Sequence, residues 1–233
     1  MKGKIVLAIA LLNTVAGCIL AGKLEEPMVT MAYMTDSCSL ENGFSFQEML
    51  QPAGRLEEKS WKEESAQNIL PGAVLPKDPV LTNISEGDIN VLAALRLTFI
   101  YPEDCPDASK AGTPLSEEDM NTVVGLFDID YEADTGSQWK RYSGETDLDN
   151  IQHFYYSHIL QRHFPFDGDS TVPLFTRLIL SSDTDYEAFE RLQNVGGFDL
   201  LIEGAVLAAE GEDGEEKARE AATAGFFRFA SEE

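Results

Sequence analysis

The sequence predicts a mainly α protein, an irregular helical domain with room for one minor strand pair. Three observations carry this. Apolar residues recur at helical spacing in several stretches, most clearly at Leu148, Ile151, Phe154, Tyr155, His158 and Ile159. Capping patterns, a Ser or Thr followed three residues later by an acid, stand at Ser45/Glu48, Ser85/Asp88, Ser116/Asp119, Thr146/Asp149 and Thr184/Glu187. No Asn-Gly turn sits between alternating runs, so hairpins are not signalled.

The chain opens on Lys2 and Lys4, then runs apolar from Ile5 to Leu12, the charge-then-apolar order of an export signal. Val15-Ala16-Gly17-Cys18 follows. It resembles a bacterial lipobox: an aliphatic residue, two small residues that pass a narrow peptidase, and a cysteine whose thiol accepts diacylglycerol. The resemblance implies a bacterial lipoprotein whose signal peptide, residues 1–17, is removed and whose Cys18 carries the lipid. The chain would then sit in the cell envelope, membrane-anchored on the periplasmic or extracellular side. Two other outcomes stay open. One is secretory cleavage without lipid. The other is an uncleaved anchor, because apolar character continues to Gly22 and reaches the short end of bilayer-spanning length. All three export the chain.

Residues 18–43 mix charge, Met and small side chains and read as a lipid-anchored tether. Residues 44–79 read as short helices and a Pro-rich linker. Phe46, Met49 and Leu50 share one side before Pro52. A charged stretch over 55–70 carries sparse apolar points at Leu56, Trp61, Ile69 and Leu70. Pro71, Gly72, Pro76 and Pro79 then break the chain. Residues 80–210 are the expected helical domain. Its helices run over 89–97, 116–127, 146–159 (ending at Pro165), 173–179 with Pro173 in the first turn, and 186–194 closed by Gly196 or Gly197; Phe198, Leu201, Ile202 and Ala205 mark one more. Leu97–Tyr101 and Leu178–Ser181 are the candidate strand pair. Residues 211–233 are acidic, then Ala-rich and helical over 217–224, and end in Phe226, Phe227 and Phe229. Those rings either dock back on the domain or form a partner-binding anchor, since aromatics dominate interface hot spots.

The 233 residues carry 41 acids against 17 Lys and Arg, a formal charge of −24. Such a surface repels nucleic acid and anionic headgroups and favours cationic partners, bound cations or plain solubility. Three cysteines are an odd number for an oxidising compartment. With Cys18 acylated, Cys38 and Cys105 remain as a possible disulfide, worth about 4 kcal/mol in the chain-entropy view; the alternative is two unrelated thiols.

His153, His158 and His163 cluster in sequence, but steps of five turn each about 140° from the last on a helix, so one helix cannot aim them at a single metal. His158 falls on the apolar stripe and reads as a core histidine. No Gly-x-Ser-x-Gly elbow is present, and no catalytic residue is assigned. Asp128-Ile129-Asp130-Tyr131-Glu132-Ala133-Asp134 starts like a calcium loop, but Ala133 and Trp139 stand where an EF-hand needs Gly and Glu. A looser calcium site or a merely solvated acidic loop both fit. No cofactor is expected.

Ile84-Ser85-Glu86-Gly87-Asp88, Leu92-Ala93-Ala94-Leu95, Tyr101-Pro102-Glu103-Asp104 and Pro106 to Gly112 together resemble the opening of the small subunit of membrane-associated flavin-dependent dehydrogenases. That resemblance implies an exported helical partner of a flavoprotein that binds no flavin itself. It stands beside two other readings: a non-enzymatic envelope binding or assembly protein that contacts the membrane through its lipid and another envelope protein through its surface, and an envelope hydrolase working with loop carboxylates.

Overall fold

Ten residues from Val91 to Ile100 set the architecture. They form one strand, β5, buried at every position but the last. The computed structural model describes residues 31–34, 51–62, 66, 69–132, 138–142, 149–211 and 213–229. In it β5 pairs antiparallel along its whole length with β10 (Asp199–Ala208), from Asp199↔Ile100 to Ala208↔Val91. Its other edge pairs with β8 (Ile151–Tyr156), which pairs with β7 (Trp139–Tyr142). With β1 (Met31–Met34) beside β10, the order of this main sheet is β1-β10-β5-β8-β7. A two-stranded ladder joins β2 (Gly54–Glu58) to β4 (Pro79–Asn83), and a three-stranded sheet has β9 (Arg177–Leu180) between β3 (Val74–Pro76) and β6 (Phe127–Ile129).

All described pairings are antiparallel, and the chain is mainly β, 34% strand against 19% helix. The mainly α, helical expectation is therefore overturned. Four stretches read as helices, 89–97, 146–159, 173–179 and 198–205, instead carry residues of β5, β8, β9 and β10. The physical reason is clearest at β5, buried on both faces, and in β10 from Glu203 to Leu207. A strand covered on one side alternates apolar and polar; one covered on both sides is continuously apolar and looks like a buried helix. Val91, Ala93, Leu95 and Leu97 enter the main core with Phe154, Tyr156, Trp139 and Val206, against Leu75, Leu81 and Leu178 of the smaller sheets. Leu92, Ala94 and Arg96 face the other way and are buried too. Of the candidate strands, residues 97–100 lie in β5 and 178–180 in β9, in different sheets, so they are not a pair. The dehydrogenase-like segment is likewise a strand and a loop rather than a helix.

The described α-helices are α1 (Glu117–Val123), α2 (Tyr186–Val195) and α3 (Gly214–Thr223). Local chemistry explains each. Ser116 accepts from the Asp119 N–H at 3.1 Å and opens α1. Asp185, rather than Thr184, caps α2 by accepting from the Ala188 N–H at 2.7 Å, and Gly196 closes it at φ +88°. Ala218 and Ala221 let α3 lie close on the outer face of the main sheet. The Ser45–Leu50 helix falls outside the described residues.

Candidate functional site

Asn83, at the end of β4, has no solvent exposure and spends its whole amide on backbone. Its Nδ2 donates to the carbonyls of Ile89 and Leu160, each at 2.9 Å, and its Oδ1 accepts from the Ser85 N–H at 3.0 Å. Its own backbone clamps the loop that follows Leu160: Asn83 N–H donates to Asp169 O at 3.0 Å and Gly168 N–H donates to Asn83 O at 2.8 Å. Gly168 is required by contact. A Cβ there would lie 2.3 Å from Gln161 O. Arg162 donates from Nε to Ser85 O and from Nη1 to Phe166 O, and His163 Nε2 meets Asp169 Oδ1 at 2.9 Å. Arg55 closes the far side on Asp167 at 2.6 Å.

This framework presents Phe164-Pro165-Phe166. Phe164 is 60% and Phe166 77% exposed. Leaving a Phe in water forgoes about 1.5–3 kcal/mol of burial. Scattered apolar residues on a surface are ordinary. Two Phe stand together at the tip of a loop whose base is held by the buried Asn83 amide and whose tip is held by Arg162, His163 and Arg55 at the surface. Sequence reading passed over them as residues beyond a helix stop. The available signal was a Phe-Pro-Phe run followed at once by Asp167-Gly168-Asp169, large rings inside turn chemistry.

The C-terminal phenylalanines fall elsewhere. Phe227 and Phe229 are buried and Phe226 is half-buried. Phe229 lies on the outer face of the main sheet, over the row that the register builds from Glu203, Arg96, His153 and Tyr142. Arg96 donates to Glu203 at 2.7–2.8 Å, both side chains nearly inaccessible, with the guanidinium 4.8 Å from the Phe229 ring centre and the His153 ring 5.8 Å from it. Two of the three rings proposed as an anchor are thus packed on the chain's own sheet.

The remaining chemical groups do not converge. His153 is on β8, His158 Nδ1 contacts Ser157 Oγ at 2.9 Å, and His163 is in the Phe loop. Among the described residues no group of three or more His, Cys, Asp or Glu side chains could hold a metal ion. Cys105 is buried, in no disulfide among the described residues, with Sγ 3.7 Å from Val195 O; Cys18 and Cys38 lie outside the described residues. Asp199, at the start of β10, has its carboxyl pushed above the usual range by burial, then by Asp104 and Glu103.

In the alternating acidic run, Asp130 is taken up by donors. It accepts from Thr176 N–H at 3.0 Å, Thr176 Oγ1 at 2.8 Å and Arg177 N–H at 3.0 Å, with Arg177 Nε at 3.2 Å. Burial opposes its charge, but these bonds and Arg177 outweigh it and hold the carboxyl below the usual range. A depressed folded pKa stabilises the fold above the unfolded value of about 3.9, and that contribution is lost as pH falls through the folded pKa. The stability gap between the native chain and Asp130→Asn, read from urea midpoints, should be widest near pH 7 and close below about pH 4. A gap unchanged with pH would contradict this.

Fold and site together define an acidic, mainly antiparallel β protein that presents an exposed, hydrogen-bonded aromatic loop. No protein-family model, curated protein or solved structure matches the chain. No helix among the described residues is long and apolar enough to cross a membrane.

Proposed function

We propose that the chain is an exported, acidic binding or assembly module of the cell envelope whose contact surface is the Phe164-Pro165-Phe166 tip. The observation that carries this is the pairing of two exposed rings with a support that holds them in place. Such an anchor loses little conformational entropy on docking. The −24 charge steers the module toward cationic partner surfaces and makes its on-rate fall with salt. A lipid on Cys18 would hold it at the membrane, and the mass of the mature chain reports that step separately: loss of residues 1–17 with added acyl mass supports it, an unmodified cysteine overturns it. Thiol counting under denaturing, non-reducing conditions settles a Cys38–Cys105 bridge in the same sample.

A photo-crosslinking residue at position 166 should give one discrete adduct in intact cells. An adduct of twice the chain mass indicates assembly, and a different discrete mass indicates a partner. The same residue at Tyr186, also exposed, is the control. No adduct at 166, or equal adducts at both positions, would end the proposal.

A further inference from the structure

β8 ends at Tyr156, and the next two residues are Ser157 and His158. Ser157 Oγ and His158 Nδ1 meet at 2.9 Å. The Ser157 N–H donates to Gln138 O at 2.8 Å and ties the serine to the sheet, while the imidazole lies against the Tyr156 ring, centres 5.7 Å apart. Ser157 is 5% exposed and His158 is exposed, and both line a cleft of about 690 Å³, the size of an ordinary small-molecule site. The start of α3 lines the same cleft with Asp213, Gly214, Glu215 and Glu216. Gly214 makes this approach possible: a Cβ there would lie 2.8 Å from Ser157 O and Ile159 N and 3.0 Å from His158 Cα. The N–H groups of a first helical turn have no partner within the helix, and the Asp213 side chain makes no cap bond to them.

We infer that Ser157 and His158 are a nucleophile and its general base, for the hydrolysis of a carboxylic ester that carries a positive charge. With the imidazole proton on Nε2, Nδ1 accepts the Ser157 hydroxyl proton as Oγ bonds to the ester carbonyl carbon. The carbonyl π pair moves onto its oxygen, where the N–H groups and positive dipole end of α3 stabilise it. The tetrahedral carbon then expels the alkoxide, which takes the proton from His158 and leaves as the alcohol. Water attacks the acyl-Ser157 in the same way. Its proton passes to His158 and then to Ser157 Oγ as the acid is released. An ester suits the pair better than an amide, because an alkoxide leaves with less help than an amine. The charge preference comes from Asp213, Glu215 and Glu216, three acids on the wall that attract a cation and repel an anion. This activity is separate from docking by the Phe164–Phe166 tip.

The test uses the purified full chain. A fluorophosphonate probe, which phosphonylates an activated serine with loss of fluoride, should add once, at Ser157 by peptide mass mapping. Acetylcholine should be hydrolysed with a kcat/KM about tenfold or more above that of its uncharged isostere, 3,3-dimethylbutyl acetate. Ser157→Ala should abolish adduct and turnover. His158→Gln, at an exposed position, should leave the melting temperature unchanged and lower labelling rate and kcat/KM by about a hundredfold or more, the effect of losing a general base. Glu215→Gln with Glu216→Gln, both exposed, should cut the preference for the cationic ester about threefold or more. No adduct on Ser157, labelling at an equal rate in His158→Gln, or no ester turnover that Ser157→Ala removes, would overturn the dyad. Equal kcat/KM for the two acetates would overturn the assigned substrate.

Discussion

Glu203→Ala should lower folding stability by about 3–5 kcal/mol, whereas the double change Arg96→Met with Glu203→Leu should recover most of that loss. The two side chains are 8% and 5% exposed and meet at 2.7 Å, so neither has water to fall back on. Removing the carboxylate takes from the buried guanidinium its partner at 2.7 Å, and the cation–π contact with Phe229, 4.8 Å from its ring centre, recovers only about 1–2 kcal/mol. Replacing both charges by apolar groups removes the desolvation cost along with the attraction, which leaves a buried pair near break-even. Urea midpoints of the single and double variants measure this. A single-variant cost under about 1 kcal/mol, the range of solvated ion pairs, would show that the C-terminal rings do not seal the sheet face.

The same ion pair explains why the sequence hid the fold. Arg96 sits in the middle of Val91–Ile100, and Glu203 in the middle of Asp199–Ala208. Charges at those positions suggest a solvent face with helical periodicity, when they are in fact partners across two adjacent strands. β8 shows a related ambiguity. Phe154 and Tyr156 point to the core and Tyr155 to the outer face, so Phe154-Tyr155 falls together on a helical stripe although the two rings lie on opposite sides of a sheet. Only long-range pairing separates the two readings, and one sequence does not display it. The short-range signals divided. Ser116 with Asp119, Gly196 and the alanines of α3 mark real helices, because caps and propensities act within one turn, whereas the same pattern at Ser85/Asp88 and Thr146/Asp149 leads into β5 and β8. The site followed the same division. The C-terminal phenylalanines were visible as a cluster, but their burial depends on a sheet face the sequence did not reveal. Phe164 and Phe166 were visible as residues, but their exposure depends on a clamp between β4 and a loop about eighty residues later in the chain.

That clamp yields the last large effect. Asn83→Ala would orphan the carbonyl of Ile89 and the N–H of Ser85 and would take from the Leu160 carbonyl, which keeps the Val91 N–H at 3.0 Å, its second donor. Each stranded buried group costs about 1–3 kcal/mol, so with two of them the variant should lose at least about 2 kcal/mol, even with some relaxation toward water. Asn83→Asp should be no better, because a carboxylate would face two carbonyl oxygens in place of the donors they need. The damage should concentrate in the Leu160–Ser170 loop, whose Asp169 and Gly168 bond the Asn83 backbone. Amide exchange there should speed up more than in β5, and the crosslink from position 166 should fade before the core melts. Phe164→Ser with Phe166→Ser is the complementary change: at exposed positions it should move stability by no more than about 0.5 kcal/mol each, yet abolish the same crosslink. If Asn83→Ala leaves loop exchange and the crosslink intact, the tip is not held by this amide. The presentation of two rings in water would then need a different support.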